Sequence, residues 1–486
     1  MSAEPEPEPA AGEQLGLLEW FRGQEGCKLG SVEITNYEYE GRGVRATGDI
    51  KKGNPLYACP VKLLVSLRAA KAEPTLGPVC EQVPLRDDDV LALFLLIERR
   101  KGAASPHAEH IASLPTAYDQ TVFWTDEELA EIAGSNVFGT TAQLKLQIVG
   151  DYAALQAAVA DKEALAVAEF SLEDYTWALA TIWSRAMDLP VAGAVGADGS
   201  VDTEMSTMRI IGPVCDMFNT RPGQPQVHGY MPSLDALTVA AGEDTVAGEQ
   251  LFIGYGEVTN ARAMWLYGFA SDNNPADSVA LYACMDTEAP SCKTHKLPPH
   301  HNLMPTDISD GLLVITDEKR MKLLKALKLS EQSLAKPHEL SLADPLPKAL
   351  LLSLRVQHAP KKLVKAWRED PEAFAAKKAP DAALERAVLD ALRAGVVGML
   401  EAYSTSLEDD EEAAARWAPH TQTLAAEHAY RQRMALLLRL GEKRILRGSI
   451  KAIDSAFNAL NFGDVEESVG VDQSVEVAAA PEPAPA

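Results

Sequence analysis

The sequence predicts an α+β protein: a strand-rich domain split by a helical insertion and followed by an all-helical C-terminal domain. Three observations carry that prediction. Short apolar segments alternate with polar positions at residues 28–66, and strand-like segments return at 207–255, the pattern of half-buried strands. A block of capped, helix-periodic segments lies between them. From about residue 300 the helical pattern returns and runs to about 465.

Taken in order, residues 1–14 ("MSAEPEPEPAAGEQ") and 466–486 (ending "AAAPEPAPA") are Pro/Glu/Ala-rich tails. They hold too little apolar surface to fold and are expected to be disordered. In "SVEITNYEYEGRGVRATGDIKKGNPLYACPVKLLVSL" glycine-rich turns separate strands. The insertion, about 88–190, opens with "DDDVLALFLLIERRK", whose acids and bases sit at the ends that the helix dipole favours. "TDEELAEIAG" starts on a capping Thr125 and stops at Gly134. "SLEDYTWALATIWSRAMDLP" starts on Ser171 and reads as helix up to Pro190. The glycine-rich "VAGAVGADGSVD" then leads into the second strand segment. The strand-rich domain with its insertion occupies 15–285, and 300–465 forms the helical domain.

At 486 residues, two or three domains are expected. The net charge of -25 argues against nucleic acid as the main partner, because phosphate binding needs clustered cations. No apolar run approaches the roughly 20 residues that span a bilayer. The six cysteines contain no CxxC pair, so buried free thiols are expected rather than a zinc site or a disulfide framework. The N-terminus has no charged-then-apolar signal, which points to the cytoplasm or nucleus, with a plastid left open. A monomer is expected.

Four stretches carry polar chemistry. "EQLFIGYGEVTNARAMWLYGF" runs a buried strand into Tyr255 between two glycines, then into a helix that Thr259 or Asn260 can cap and Gly268 closes. The flanking glycines let a ligand or another backbone come close; a core tyrosine bonded to a carbonyl fits the same residues. "EGRGVRATGDIKKG" holds a Gly-x-Gly without the third glycine of the dinucleotide fingerprint, which leaves a hairpin or a cofactor-facing turn. "IIGPVCDMFNTRPGQ" leads an apolar strand into Asp216 and Asn219, whose buried polar groups need partners, a ligand or each other. "WSRAMDLP" places Arg185 at the end of an amphipathic helix, where a surface ion pair is the plainer alternative. The loop "KTHKLPPHHN" carries three histidines at a spacing that fits no structural metal site.

The order of these stretches is more specific than any one of them. A Gly-x-Gly hairpin, an insertion ending Ser184-Arg185, Asp216-x-x-Asn219, then Tyr255-Gly256 and a helix ending Tyr267-Gly268-Phe269 resemble the SET-domain protein methyltransferases. More narrowly, residues 15–465 are similar to the branch of the Rubisco large-subunit lysine methyltransferase and the actin-histidine methyltransferase. The resemblance implies a split SET domain, a helical substrate-binding domain, S-adenosyl-L-methionine as cofactor, a protein substrate and no metal. By position it makes Tyr255 the catalytic tyrosine. Glu40, Gly41, Arg42, Arg185, Asn219 and Thr220 fall to the cofactor, and Arg185, Asp216, Tyr230 and Tyr267 to the substrate.

The chain departs from that pattern at three places. Asn219-Thr220 stands where the family has Asn-His. The insertion's S-x-W…Y…LP pattern appears as Ser105, His107, His110 and Leu114-Pro115, with histidines in place of the aromatic pair. Met187 and Cys215 occupy the places where the histidine-modifying member grips imidazole with asparagine and tryptophan, although "GFASDNNPADSV" is closer to that member. The expectation is a protein-lysine N-methyltransferase acting on a non-histone protein. A protein-histidine methyltransferase and an inactive SET-fold binding module are the alternatives.

Overall fold

The computed structural model describes residues 11–37, 40–162, 165, 170–192, 205–281, 318–329, 338–376, 381–417 and 427–462. The three-histidine loop, the centre of the glycine-rich loop and most of both expected tails lie outside these residues. A helix, Ala11–Gly23, begins inside the stretch 1–14 expected as a tail and buries Leu17, Leu18 and Phe21. Among the described residues no helix is long and apolar enough to cross a membrane.

The strands are β1 (Lys28–Leu29), β2 (Val32–Tyr37), β3 (Gly41–Ala46), β4 (Pro55–Pro60), β5 (Val65–Ser66), β6 (Met187–Ala192), β7 (Met205–Ile211), β8 (His228–Met231), β9 (Ala236–Ala240), β10 (Gln250–Leu251), β11 (Val279–Leu281) and β12 (His338–Leu340). They form antiparallel sheets in the orders β1-β4-β9-β8, β10-β3-β2, β5-β7-β6 and β11-β12. Strands from before and after the insertion therefore share sheets. Residues 40–53 do begin as a hairpin arm, β2 pairing β3 from Val32↔Ala46 to Tyr37↔Gly41.

The chain divides into two compact units. The first comprises Met1–Ile132, Val137–Asp277 and Glu411–Gly441. Its sheets enclose a core that includes Val44, Tyr57, Leu64, Ile210, Phe218 and Ile253. The insertion has its own core around the helix Asp87–Lys101, packed on the helix Leu172–Arg185. That second helix stops at Arg185, five residues short of the expected Pro190, and the chain turns into β6. There Met187 to Ala192 pair with Ile210 to Met205. Pro190, which lacks an N–H, is tolerated because β6 is an edge strand. Glu411–Gly441, read from sequence with the C-terminal domain, groups here for a physical reason. Met434, Ala435 and Leu438 pack with Trp124, Leu129 and Ile132, and buried Arg431 bonds Asp119 Oδ1 at 3.0 Å and Glu128 Oε2 at 3.1 Å.

The second unit holds Ala133–Asn136, Ser278–Asp410 and Glu442–Ala486. It is not all-helical. β11 and β12 pair as Val279↔Leu340 and Leu281↔His338, and their alternate side chains cover the helical core. Three residues are too few to show a strand period in sequence. Helices Lys348–His358 and Ala382–Glu401 pack through Leu350, Leu354, Val388 and Leu392. Buried ion pairs among the described residues of this unit include Arg355 with Glu385, at 2.7 and 2.6 Å, and Lys443 with Asp410 at 2.6 Å. Lys443 also donates to Thr405 O and Oγ1, which satisfies the ammonium that burial would otherwise penalise.

Candidate functional site

The site gathers at the end of the apolar run that stops on Tyr255. Only Gln250–Leu251 pairs as regular strand; Phe252 then bridges Asn219 in parallel, and Ile253 N donates to Asn219 O at 2.9 Å. Asn219 is thereby fixed beside the strand end. Its Nδ2 donates to Arg42 O at 3.1 Å and Gln250 Oε1 at 2.8 Å, tying three separate segments together. Gly43 has to be glycine here, since an added Cβ would lie 2.4 Å from Gln250 Oε1 and 2.7 Å from Asn219 Nδ2. The space over Gly43 is thus taken by protein side chains, whereas a Cβ on Gly41 would meet nothing within 4 Å.

The two glycines around Tyr255 do different jobs. Gly254 crosses the Gln224–Pro225 backbone so closely that a Cβ would meet Gln224 O at 2.5 Å, and its N–H donates to Pro225 O at 3.0 Å. Gly256 has open space around it but takes φ +88°, a left-handed conformation that side chains disfavour. Gly254→Ala should therefore cost about 1–3 kcal/mol of stability, the range of overpacking. A lower denaturant midpoint at unchanged slope checks this.

Tyr255 is half-buried and its hydroxyl donates to Phe218 O at 2.8 Å, while its N–H donates to Thr220 Oγ1 at 3.3 Å. Its ring lies 5.0 Å from that of Tyr267, which lies 5.8 Å from Phe269. Burial pushes the Tyr255 phenol up from its usual pKa, the Arg185 charge opposing and Tyr267 and Asp216 adding to the rise. It is a neutral O–H donor across the ordinary pH range. The helix Asn260–Leu266 that presents Tyr267 is capped by Thr259, whose hydroxyl accepts from Arg262 N. It is anchored by buried Asn260, which bonds both oxygens of Asp277 and the Ser271 backbone.

A cleft of about 310 Å³ opens beside this tyrosine, lined by Thr220, Gln224, Tyr255, Ala263, Phe269 and Asn274 among others.

Behind Tyr255 lies a buried charge cluster. Arg185 Nη1 donates to Asp216 O at 2.7 Å and sits 3.5 Å from Asp216 Oδ2. His110 Nε2 meets that same oxygen at 3.2 Å, with both side chains fully buried. Burial alone would raise the Asp216 carboxyl, but the His110, Arg185 and Arg42 charges outweigh it and hold its pKa below the usual value. Burial, then the His110 charge, lowers His107 to about 4. Arg185 Nε, Asp216 Oδ1 and His110 Nδ1 are buried and meet no hydrogen-bond partner among the described residues. The turn carrying Asp216 starts at Val214, a β-branched residue held at φ +67°, a genuine outlier.

The other sequence candidates are placed as follows. Glu40 is exposed at the β2–β3 turn beside Gly41, which has φ +67°. Arg42 donates to Ser113 O in the insertion at 2.6 Å. Tyr230, on β8, packs on the strand core and donates to Asp235 Oδ1 at 2.9 Å. Met187 pairs with Ile210 on β6, and Cys215 is buried with its thiol pushed up by burial. Among the described residues no three His, Cys, Asp or Glu side chains gather as metal ligands. The sequence does not single out the roles of Phe269, Gln250 and Asn260. Phe269 had a signal in the Tyr-Gly-Phe ending; the other two work through partners distant in sequence.

Solved structures share this architecture. "Crystal structure of the SET domain of LSMT bound to Lysine and AdoHcy" superposes with a TM-score of 0.71 at 20% identity, covering 93% of this chain and 94% of that one. "Structure of Rubisco LSMT bound to AdoMet" gives 0.70 at 20% identity, over 93% of each chain. The fold is that of the SET domain of LSMT. Residues 317–446 of this SET-fold chain match the family described as Rubisco LSMT substrate-binding. The actin-histidine N-methyltransferases of Homo sapiens and Callithrix jacchus are each 30% identical to it over 275 residues, 54% of this chain. That match spans 43% of either relative, less than half its length.

Proposed function

We propose that the protein is an S-adenosyl-L-methionine-dependent protein N-methyltransferase whose acceptor is a lysine of a non-histone protein. One observation carries the reading: a neutral phenol at a glycine-flanked strand end borders a cleft, and nearby the buried Nε of Arg185 meets no acceptor among the described residues. An arginine donor without a partner suits the carboxylate end of such a cofactor. When bound, S-adenosylmethionine would supply an electrophilic methyl group on a sulfonium.

Arg185, Asn219 and Thr220 would hold the cofactor, with the 40–42 turn beside them. Tyr255 keeps its proton and donates to Phe218 O; its remaining lone pairs could accept weak C–H contacts from the methyl of a bound cofactor, which would orient more than they bind. Asp216 keeps Arg185 in place through its carbonyl and carboxylate. Tyr267 and Phe269 narrow the approach and exclude water. A lysine must arrive neutral, and an aromatic, desolvated channel lowers its pKa from about 10.4. The same reading expects a monomer in the cytoplasm or nucleus.

A second reading, a histidine acceptor, is favoured by the names of the relatives; Met187 and Cys215, neither of which donates as asparagine and tryptophan do, count against it. Incubating the full chain with tritium-labelled cofactor and cell lysate, then mapping the label by mass spectrometry, tests both. Label on a lysine of a non-histone protein is expected. Label on histidine would install the second reading. Absence of label together with no calorimetric heat from the cofactor would leave a SET-fold binding module.

A further inference from the structure

Two free thiols that the proposed chemistry does not use face each other across a strand pair. β1 and β4 pair as Lys28↔Ala58 and Leu29↔Tyr57, and the next step along the same register sets Cys27 opposite Cys59. Gly30 N donates to Leu56 O at 2.8 Å. Counting from that bonded pair, Leu29/Tyr57 is non-bonded, Lys28/Ala58 bonded and Cys27/Cys59 non-bonded. Non-bonded antiparallel pairs approach most closely, about 4.5 Å between Cα atoms with side chains on one face. A disulfide needs about 4.4–6.8 Å. The close approach has a second sign: a Cβ on Gly26 would lie 2.8 Å from Pro60 Cγ.

The two thiols differ in access. Cys59 is buried in the strand core, and Cys27 is partly exposed at its edge. The hydrogen bond with Cys59 lowers the Cys27 pKa against the effect of burial, with the Lys62 charge assisting. The Cys59 thiol is raised, chiefly by that shared bond and by burial. An accessible, ionisable sulfur thus sits over a protected one, the arrangement of an attacking and a resolving cysteine.

We propose that Cys27 and Cys59 are a redox modification site, at which hydrogen peroxide oxidises Cys27 and Cys59 closes an intramolecular disulfide. The Cys27 thiolate attacks one peroxide oxygen, the O–O bond breaks, and the departing hydroxide takes a proton to become water. The sulfenic acid left on Cys27 is then attacked by Cys59; the S–S bond forms, the S–O bond breaks, and the Cys59 proton leaves with that hydroxide as a second water. Two thiols lose two electrons and the peroxide gains them.

The test treats reduced full-length protein with hydrogen peroxide, then denatures, alkylates and digests it. The expected product is a peptide joining Cys27 to Cys59, lighter by two hydrogens than the separate peptides, and reversed by dithiothreitol. Cys59→Ser should leave Cys27 as a sulfenic acid that dimedone traps several-fold more than in the wild type. A melting curve of the reduced variant checks its fold; if it is unfolded, the wild-type cross-link decides alone. The proposal is overturned if both thiols remain fully alkylated after peroxide, if Cys27 joins another cysteine, or if folded Cys59→Ser and wild type give equal dimedone adducts.

Discussion

Tyr255→Phe is expected to lower methyl transfer by about a hundredfold, the effect of losing sub-ångström placement of reacting groups. The substitution deletes the donation to Phe218 O at 2.8 Å and keeps the ring against Tyr267. Without its tether the ring no longer holds one position beside the cleft. Because the lost interaction serves the transition state, kcat should fall with KM little changed. The Phe218 carbonyl loses its phenolic donor, so stability should also drop by about 1–3 kcal/mol. Labelling of lysate proteins by variant and wild type at matched folded concentration is the measurement. Equal labelling would remove Tyr255 from the chemistry.

Asp216→Ala has the largest expected effect on stability, a loss of about 3–5 kcal/mol, because it leaves Arg185 without its buried counter-charge. Asp216→Asn, closer in shape, isolates the charge. The folded carboxyl titrates below its usual value, whereas in the unfolded chain it titrates near 3.9. Its contribution is therefore complete above about pH 3.9 and is lost as the pH falls through the lower folded value. Wild type should lose stability over that acidic window. Asp216→Asn should begin less stable at neutral pH and change less in acid. Urea midpoints of the two proteins between neutral and acidic pH decide the matter; parallel acid limbs would mean that Asp216 is not held ionised by its neighbours.

Much of the fold was legible because its elements are marked locally. Thr125 and Ser171 each make a capping box, and the acids of Asp87–Asp89 open a helix. The Tyr255 stretch showed its helix cap and closing glycine in the same way. What stayed hidden depends on partners far apart in sequence. Nothing near residue 190 announces that Met187–Ala192 pairs with β7, since the residues after Arg185 fit a last helical turn equally well. The bond from His110 to Asp216 spans 106 positions, and His110 read only as a replaced aromatic. Gln250, which completes the Asn219 knot, looks in sequence like an ordinary polar strand residue.

Val214 carries a cost that neighbouring structure has to sustain. A branched side chain in a left-handed turn stores on the order of 1–3 kcal/mol, and it does so immediately before Cys215 and Asp216. Glycine would relax the turn, but it would also remove a side chain fully buried in the strand core and free the backbone that aims the Asp216 carboxylate. Strain, packing and aim thus meet at a single residue, and a stabilising programme for this protein does best to begin elsewhere.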